Sequence, residues 1–365
     1  MAGVYLSWPF CGQKCTYCNF ASGVLPREWE PRYEAALLGE LRRFSWPWTP
    51  QTVYLGGGSP SRMSESTLAA LLGAIPGAPW CEATLEAAPG EITPARAASW
   101  RALGITRASL GTQSFAESEL RRTGRRHTPQ LAADDVAVLR AAGITNINLD
   151  LICGLPGQTR DSWETSLDWI ERLHPPHVSV YMLEVDEDSR LGLEILNHGS
   201  CYGAQGVPSD DLQVELYERA VERLRGLGIE RYEISNFARP GFESRHNLKY
   251  WRLEPYAGFG ADAHSCSGGM RWQNAELVAA YLEAMEAGRS PRTGEHPADP
   301  AAERFFVGLR LSAGVTVGAG EEDRYGERFR SLQNSGLLER SDNLVRLTPR
   351  GILLSNEVFQ EFLPS

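Results

Sequence analysis

Three cysteines fall within eight residues near the start of the chain, in "CGQKCTYC", Cys11 to Cys18. Separated by three residues and then two, Cys11, Cys15 and Cys18 put three thiolates on one short loop, a donor set suited to zinc or to an iron–sulfur cluster. A structural zinc takes four closed ligands, usually as two pairs, and neither a second pair nor a nearby histidine completes one here. The better fit is a cluster with one iron left open. Cys81, Cys153, Cys201 and Cys266 are scattered and read as small buried hydrophobes in a reducing compartment.

The cysteines follow a strand-like run, Val4 to Trp8, and five more such runs lie at Thr52 to Leu55, Ala83 to Glu86, Arg107 to Leu110, Ile147 to Ile152 and His177 to Leu183. Helical patterns fill the gaps: Trp29 to Phe44, Ser64 to Ala74, Pro94 to Ala102, Ala116 to Arg122 with Pro129 to Ala141, and Asp161 to Leu173. In "RALGIT" and "RAAGIT" a glycine stands just past the last apolar turn, where a left-handed residue closes a helix. This alternation predicts right-handed βα units on a parallel sheet. A partial (β/α)6 barrel is the first choice and a doubly wound sheet the alternative; both keep ligands at the C-terminal strand ends.

At those ends stand residues able to hold a polar ligand. "GGGSPS" ends the second strand, and through Gly57, Gly58 and Ser59 the backbone could approach a ligand closely, with N–H groups facing a carboxylate. The run does not match the dinucleotide fingerprint. Glu86, Gln113, Asp150 and Glu184 close or follow the third to sixth strands. Four polar groups at one barrel mouth suit an ammonium, ribose hydroxyls and an adenine edge.

After Asp186 the alternation stops. A long helix, Ser209 to Leu227, precedes "YEISNFARPGFESRHNLKYW". We expect a barrel over 1–185, an extension over 186–297 and a C-terminal unit over 298–365, with "RSPRTGEHPADP", 289–300, as a linker. Residues 301–365 give helix, helix, short hairpin, helix, the pattern of a winged helix. The C-terminal unit carries 10 acidic and 8 basic side chains, and the whole chain a net charge of -10, so nucleic acid is not an expected partner. No apolar run approaches the roughly 20 residues of a membrane helix, and a strand starting at Val4 leaves no room for a signal peptide. The expected location is the cytoplasm, with at most peripheral membrane contact.

The cysteine spacing, with Tyr17 just before the third thiol, resembles the radical SAM superfamily. That resemblance implies a [4Fe-4S] cluster on Cys11, Cys15 and Cys18, whose fourth iron chelates the amino and carboxylate groups of S-adenosylmethionine. Together the strand-end stretches resemble the coproporphyrinogen-dehydrogenase family within that superfamily, over nearly the whole chain. By that likeness Tyr5, Tyr17, Gly57, Gly58, Ser59, Glu86, Gln113, Arg125, Asp150 and Glu184 line the S-adenosylmethionine site, with Arg125 in "TGRRHT" pairing the methionine carboxylate. The chain departs from the family pattern at Ser7, Ser59 and Ala88, where His, Thr and Asn are usual.

The family holds two kinds of protein. One is the oxygen-independent dehydrogenase of porphyrin biosynthesis, which abstracts a hydrogen from each propionate and releases carbon dioxide. The other is a haem chaperone, which binds haem and delivers it to apo-haem proteins such as respiratory enzymes. Phe20 stands where the dehydrogenase has a further cysteine, and only ten residues precede Cys11, where it has an extension. Both favour the chaperone. "HNLKYW", residues 246–251, matches the chaperone branch's haem-binding signature. His246 would be the axial ligand to haem iron, Asn247 belongs to the motif, Tyr250 and Trp251 offer flat surface, and Arg245 and Lys249 would pair with propionates. A homodimer is compatible with this reading, and a radical SAM enzyme for another substrate is a third option.

Overall fold

The computed structural model describes residues 1–363. Six strands, β1 (Gly3–Trp8), β2 (Thr52–Gly57), β3 (Glu82–Ala87), β4 (Arg107–Gln113), β5 (Asn146–Cys153) and β6 (His177–Met182), lie parallel and in sequential order. The connecting helices are α1 (Trp29–Arg43), α2 (Glu65–Gly73), α3 (Pro94–Ala102), α4 (Glu117–Arg122), α5 (Pro129–Ala141) and α6 (Arg160–Leu173). Sequential order removes the doubly wound alternative, whose strand order reverses at a switch point. The helices begin where their side chains say they should: Thr93 and Thr128 accept N–H groups of the first turn, each with proline at the next position. Gly104 and Gly143, at φ 93° and 83°, follow α3 and α5.

The extension does not form a separate layer. It contains α7 (Arg190–Leu196), α8 (Asp210–Gly226), β7 (Glu230–Arg231), β8 (Asn236–Ala238), α9 (Arg245–Trp251), β9 (Tyr256–Phe259), β10 (His264–Ser267), β11 (Met270–Asn274), α10 (Val278–Glu286) and β12 (Arg292–Pro297). β8 runs antiparallel to β6, β9 runs parallel to β1, and the sheet order is β12-β11-β10-β9-β1-β2-β3-β4-β5-β6-β8-β7. Its ends do not meet, which makes a partial barrel. Half-buried Glu40 on α1 locks the extension down, accepting from the N–H of Gly260, Asn274 Nδ2 and the Tyr281 hydroxyl.

The linker expected at 289–300 is corrected by the structure. Arg292–Pro297 is the edge strand β12, antiparallel to β11. Its side chains are exposed, so it carries the Pro, Gly and polar composition of a loop while only one side of its backbone is paired.

The C-terminal unit follows as α11 (Pro300–Gly308), β13 (Val315–Thr316), α12 (Ala319–Asn334), the hairpin β14 (Leu338–Ser341) and β15 (Leu344–Leu347), α13 (Pro349–Leu353) and α14 (Ser355–Gln360). The wing is present, and β13 adds a third strand too short to read from sequence. Phe305, Tyr325, Phe329 and Phe362 pack around one another as its core. No helix among the described residues is long and apolar enough to cross a membrane.

Trp163 on α6 is fully buried, and its indole N–H donates to the Leu216 carbonyl on α8 at 2.8 Å, tying the barrel to the extension. Trp163→Ala should destabilise the protein by about 3–5 kcal/mol in denaturant unfolding.

Candidate functional site

The cysteine loop sits at the C-terminal end of β1. Its base is stitched by backbone bonds: Cys11 N–H to the Gly23 carbonyl at 2.8 Å, and Gly23 N–H to the Pro9 carbonyl at 2.9 Å. Thr16 N–H reaches the Thr123 carbonyl after α4, and Leu191 N–H on α7 donates to the Thr16 carbonyl. All three cysteines are free thiols with partial exposure. Burial raises the Cys11 pKa, and the neighbouring Cys18 and Cys15 add to it, opposed by the Ser22 hydroxyl and the Arg125 charge.

No trio of His, Cys, Asp or Glu among the described residues is drawn tightly enough around one point to hold a single metal ion. A zinc would need each sulfur at about 2.3 Å from one centre. Cys11, Cys15 and Cys18, free and partly exposed on one loop, would hold a four-iron cluster, one thiolate to each of three irons.

The glycine run backs this loop. Gly58 N–H donates to the Trp8 carbonyl at 2.7 Å and Ser59 N–H to the Phe10 carbonyl at 2.9 Å. A Cβ on Gly58 would lie 2.7 Å from the Phe10 oxygen and 2.8 Å from the Pro9 carbonyl carbon. The expectation that these N–H groups face a ligand carboxylate is thus corrected: two support the cysteine loop, and Gly57 N–H faces Glu86 Oε2 at 3.1 Å. The close approach needing glycine is to the loop.

Below the loop the inward positions of the strands are polar. Tyr54 donates to Glu86 Oε1 at 2.8 Å and stacks on Tyr5, with ring centroids 6.1 Å apart. Asp150 accepts from Asn148 at 2.7 Å and Ser109 at 3.4 Å. Tyr181 shares the inward face of β6 with His177 and Ser179, which bond to Asn148 and Asn236, and is 40% exposed, so it borders an open lumen. Burial pushes the Glu86 pKa up to about 7, with the Tyr54 hydrogen bond opposing and Asp150 reinforcing. Burial raises Asp150 likewise.

Arg125 and Gln113 converge at the end of β4. A Cβ on Gly111 would stand 2.9 Å from Gln113 Nε2 and 3.4 Å from Arg125 Nη2. Arg125 reaches the Tyr17 hydroxyl at 3.5 Å, and its Nε is buried without a partner. Burial works against the Arg125 charge, but Tyr17, Cys15 and Asp150 more than offset it and raise its pKa. Tyr17 leans on the small apolar cluster of Ile152, Leu155, Leu183, Leu191 and Ala204. Glu184 is exposed, beyond the end of β6.

The "HNLKYW" segment is α9, and it lies at the other end of the barrel. Glu82, which opens β3, accepts the N–H groups of Arg245 at 3.1 Å and His246 at 2.9 Å, and Ser244 caps Asn247 N–H. His246 Nδ1 meets the Thr52 hydroxyl at 2.9 Å and Nε2 the Tyr250 hydroxyl at 2.8 Å. Burial, Lys249 and Arg107 push its pKa down to about 3. Lys249 is buried and paired with Glu254, Arg245 is exposed, and Trp251 lies under Arg310. The open haem surface expected from the motif is not presented in this conformation, because the helix is packed as the barrel's floor.

Sequence reading missed Tyr54, Arg107, Asn148, His177 and Tyr181. Their signal was the inward register of each strand, as in Arg107, Ser109 and Gly111 on β4, visible only once the faces are assigned.

Residues 5–170 match the family model described as the radical SAM superfamily, and residues 296–354 match the HemN C-terminal domain. The fold and the cysteine loop are those of a radical SAM protein. The chain is 34% identical to the heme chaperone HemW of Lactococcus lactis, over 98% of this chain and 96% of that protein. It is 32% identical to the Bacillus subtilis HemW over 100% and 99%, and 35% identical to the Mycobacterium tuberculosis HemW over 99% and 94%. The chain belongs to the HemW family. The solved structure of Escherichia coli coproporphyrinogen III oxidase, HemN, a radical SAM enzyme, superposes with a TM-score of 0.82 at 20% identity, covering 99% of this chain and 89% of that one, which establishes the shared fold.

Gly58→Ala should cost about 1–3 kcal/mol of stability and lower iron and sulfide content after anaerobic reconstitution. Glu86 yields a pH dependence. Its folded pKa is raised, so its contribution to stability is full below the ordinary value of 4.5 and is lost as pH rises through about 7. In pH-dependent denaturation of the cluster-free protein, wild type should lose stability relative to Glu86→Gln over that window.

Proposed function

We propose that this protein is a haem chaperone that carries a [4Fe-4S] cluster on Cys11, Cys15 and Cys18, binds S-adenosylmethionine at the barrel mouth, and passes haem to apo-haem proteins. The observation that carries this reading is full-length likeness to HemW chaperones in a chain whose three free thiols share one loop. S-adenosylmethionine, when bound, would supply the missing ligand of the open iron. Arg125 is the cation suited to its carboxylate, and Glu86 and Asp150 are the acceptors suited to its ammonium and hydroxyls. Tyr5, Tyr17 and Gln113 complete the wall, with Glu184 at the rim. The dehydrogenase alternative draws on the fold alone, and the surface-exposed Phe20 supplies no fourth thiol. We propose a cytoplasmic protein with recipients among respiratory haem enzymes, a reading compatible with a homodimer.

His246 is the proposed axial ligand, on one condition. Its ring nitrogens are held by Thr52 and Tyr250, so ligation requires the imidazole to give up one of these bonds. An anaerobic haem titration of cluster-reconstituted wild type, His246→Ala and Tyr250→Phe tests both levels. The ligand proposal expects an altered spectrum in His246→Ala, and in Tyr250→Phe a wild-type spectrum with faster or tighter binding, since Nε2 is released. Identical spectra in wild type and His246→Ala would remove His246 as the ligand. Absence of specific haem binding by wild type would remove the chaperone reading.

A further inference from the structure

Arg107 opens β4 with its side chain turned into the lumen, 2% exposed. Its Nε is buried without a partner. Thr84, its register neighbour on β3, holds a buried hydroxyl that is also unpartnered. Arginine keeps its charge in proteins, and a buried donor left without an acceptor is costly. Nearby groups are already engaged: Glu86 by Tyr54 and Gly57, Asp150 by Asn148 and Ser109, and Glu82 by the amides of α9. His177 is held by Asn148 and Tyr232, and His246 by Thr52 and Tyr250.

We propose that Arg107 and Thr84 form the floor of a carboxylate subsite, reached from the cysteine-loop end because α9 closes the other. A planar carboxylate matches the guanidinium fork and leaves an oxygen for the Thr84 hydroxyl. One cation calls for one negative charge, and a phosphate dianion would face Glu86 and Asp150 unbalanced. The rings of Tyr5, Tyr54 and Tyr181 offer apolar faces to the carbon body. The subsite stands on the lumen geometry and is independent of the haem reading.

The test is calorimetric titration and thermal denaturation of the full chain with propionate, propionamide and phosphate at constant ionic strength. Propionate should bind wild type and raise its Tm, and the other two should not. Arg107→Met should weaken propionate binding about tenfold or more. Without ligand it should melt at or above wild type, because a buried donor without a partner has been removed. Arg107→Lys, which keeps the charge and loses the fork, should bind with intermediate affinity, and it decides the question if Arg107→Met does not fold. The proposal is overturned by a wild type indifferent to propionate, by equal responses to propionate and phosphate, or by an Arg107→Met protein that folds but melts well below wild type.

Discussion

The architecture depends on a backbone-to-backbone contact. Where β1 and β2 end side by side, the Gly58 and Ser59 N–H groups donate to the Trp8 and Phe10 carbonyls, and no side chain fits between them. This contact holds the root of the cysteine loop against a rigid parallel sheet. It also aims the Gly57 N–H at Glu86, so the support of the loop and the placing of the first lumen carboxylate come from one turn. A thiol cage on a free loop would be an ensemble; here the stem is fixed and the thiols remain partly open.

Polar side chains fill the space that a closed barrel would pack with branched apolar ones. Each inward layer has a task. Near the mouth, Arg125, Gln113, Glu86 and Asp150 can hold a zwitterionic ligand. In the middle, phenols line open space. At the floor, burial and the Arg107 charge lower the pKa of His177, burial, Lys249 and Arg107 lower that of His246, and α9 seals the end through Glu82. The "HNLKYW" helix and the cysteine loop thus occupy opposite ends of one barrel.

Much of this was legible in the sequence, for identifiable reasons. The six βα units followed from apolar periodicity and from Gly104 and Gly143, which end their helices as expected. The cysteine loop was legible because the motif is local. β12 was read as a linker because an exposed edge strand carries loop composition. β9, "YAGF", was invisible because its pairing with β1 spans most of the chain. Arg107 was passed over because an arginine at a strand start ordinarily marks solvent, and only the register shows it turning inward. The placing of "HNLKYW" was equally hidden, since the motif names the residues while Thr52, Tyr54 and Glu82, far away in sequence, decide where they pack.

The most direct test is electron paramagnetic resonance of the anaerobically reconstituted, reduced protein before and after adding S-adenosylmethionine. If the three-cysteine loop leaves one iron open for that cofactor, the cluster signal must change shape and position on addition, and it must be absent from a Cys15→Ala protein. A spectrum that stays unchanged while bound S-adenosylmethionine is demonstrated by equilibrium dialysis would contradict the open-iron account.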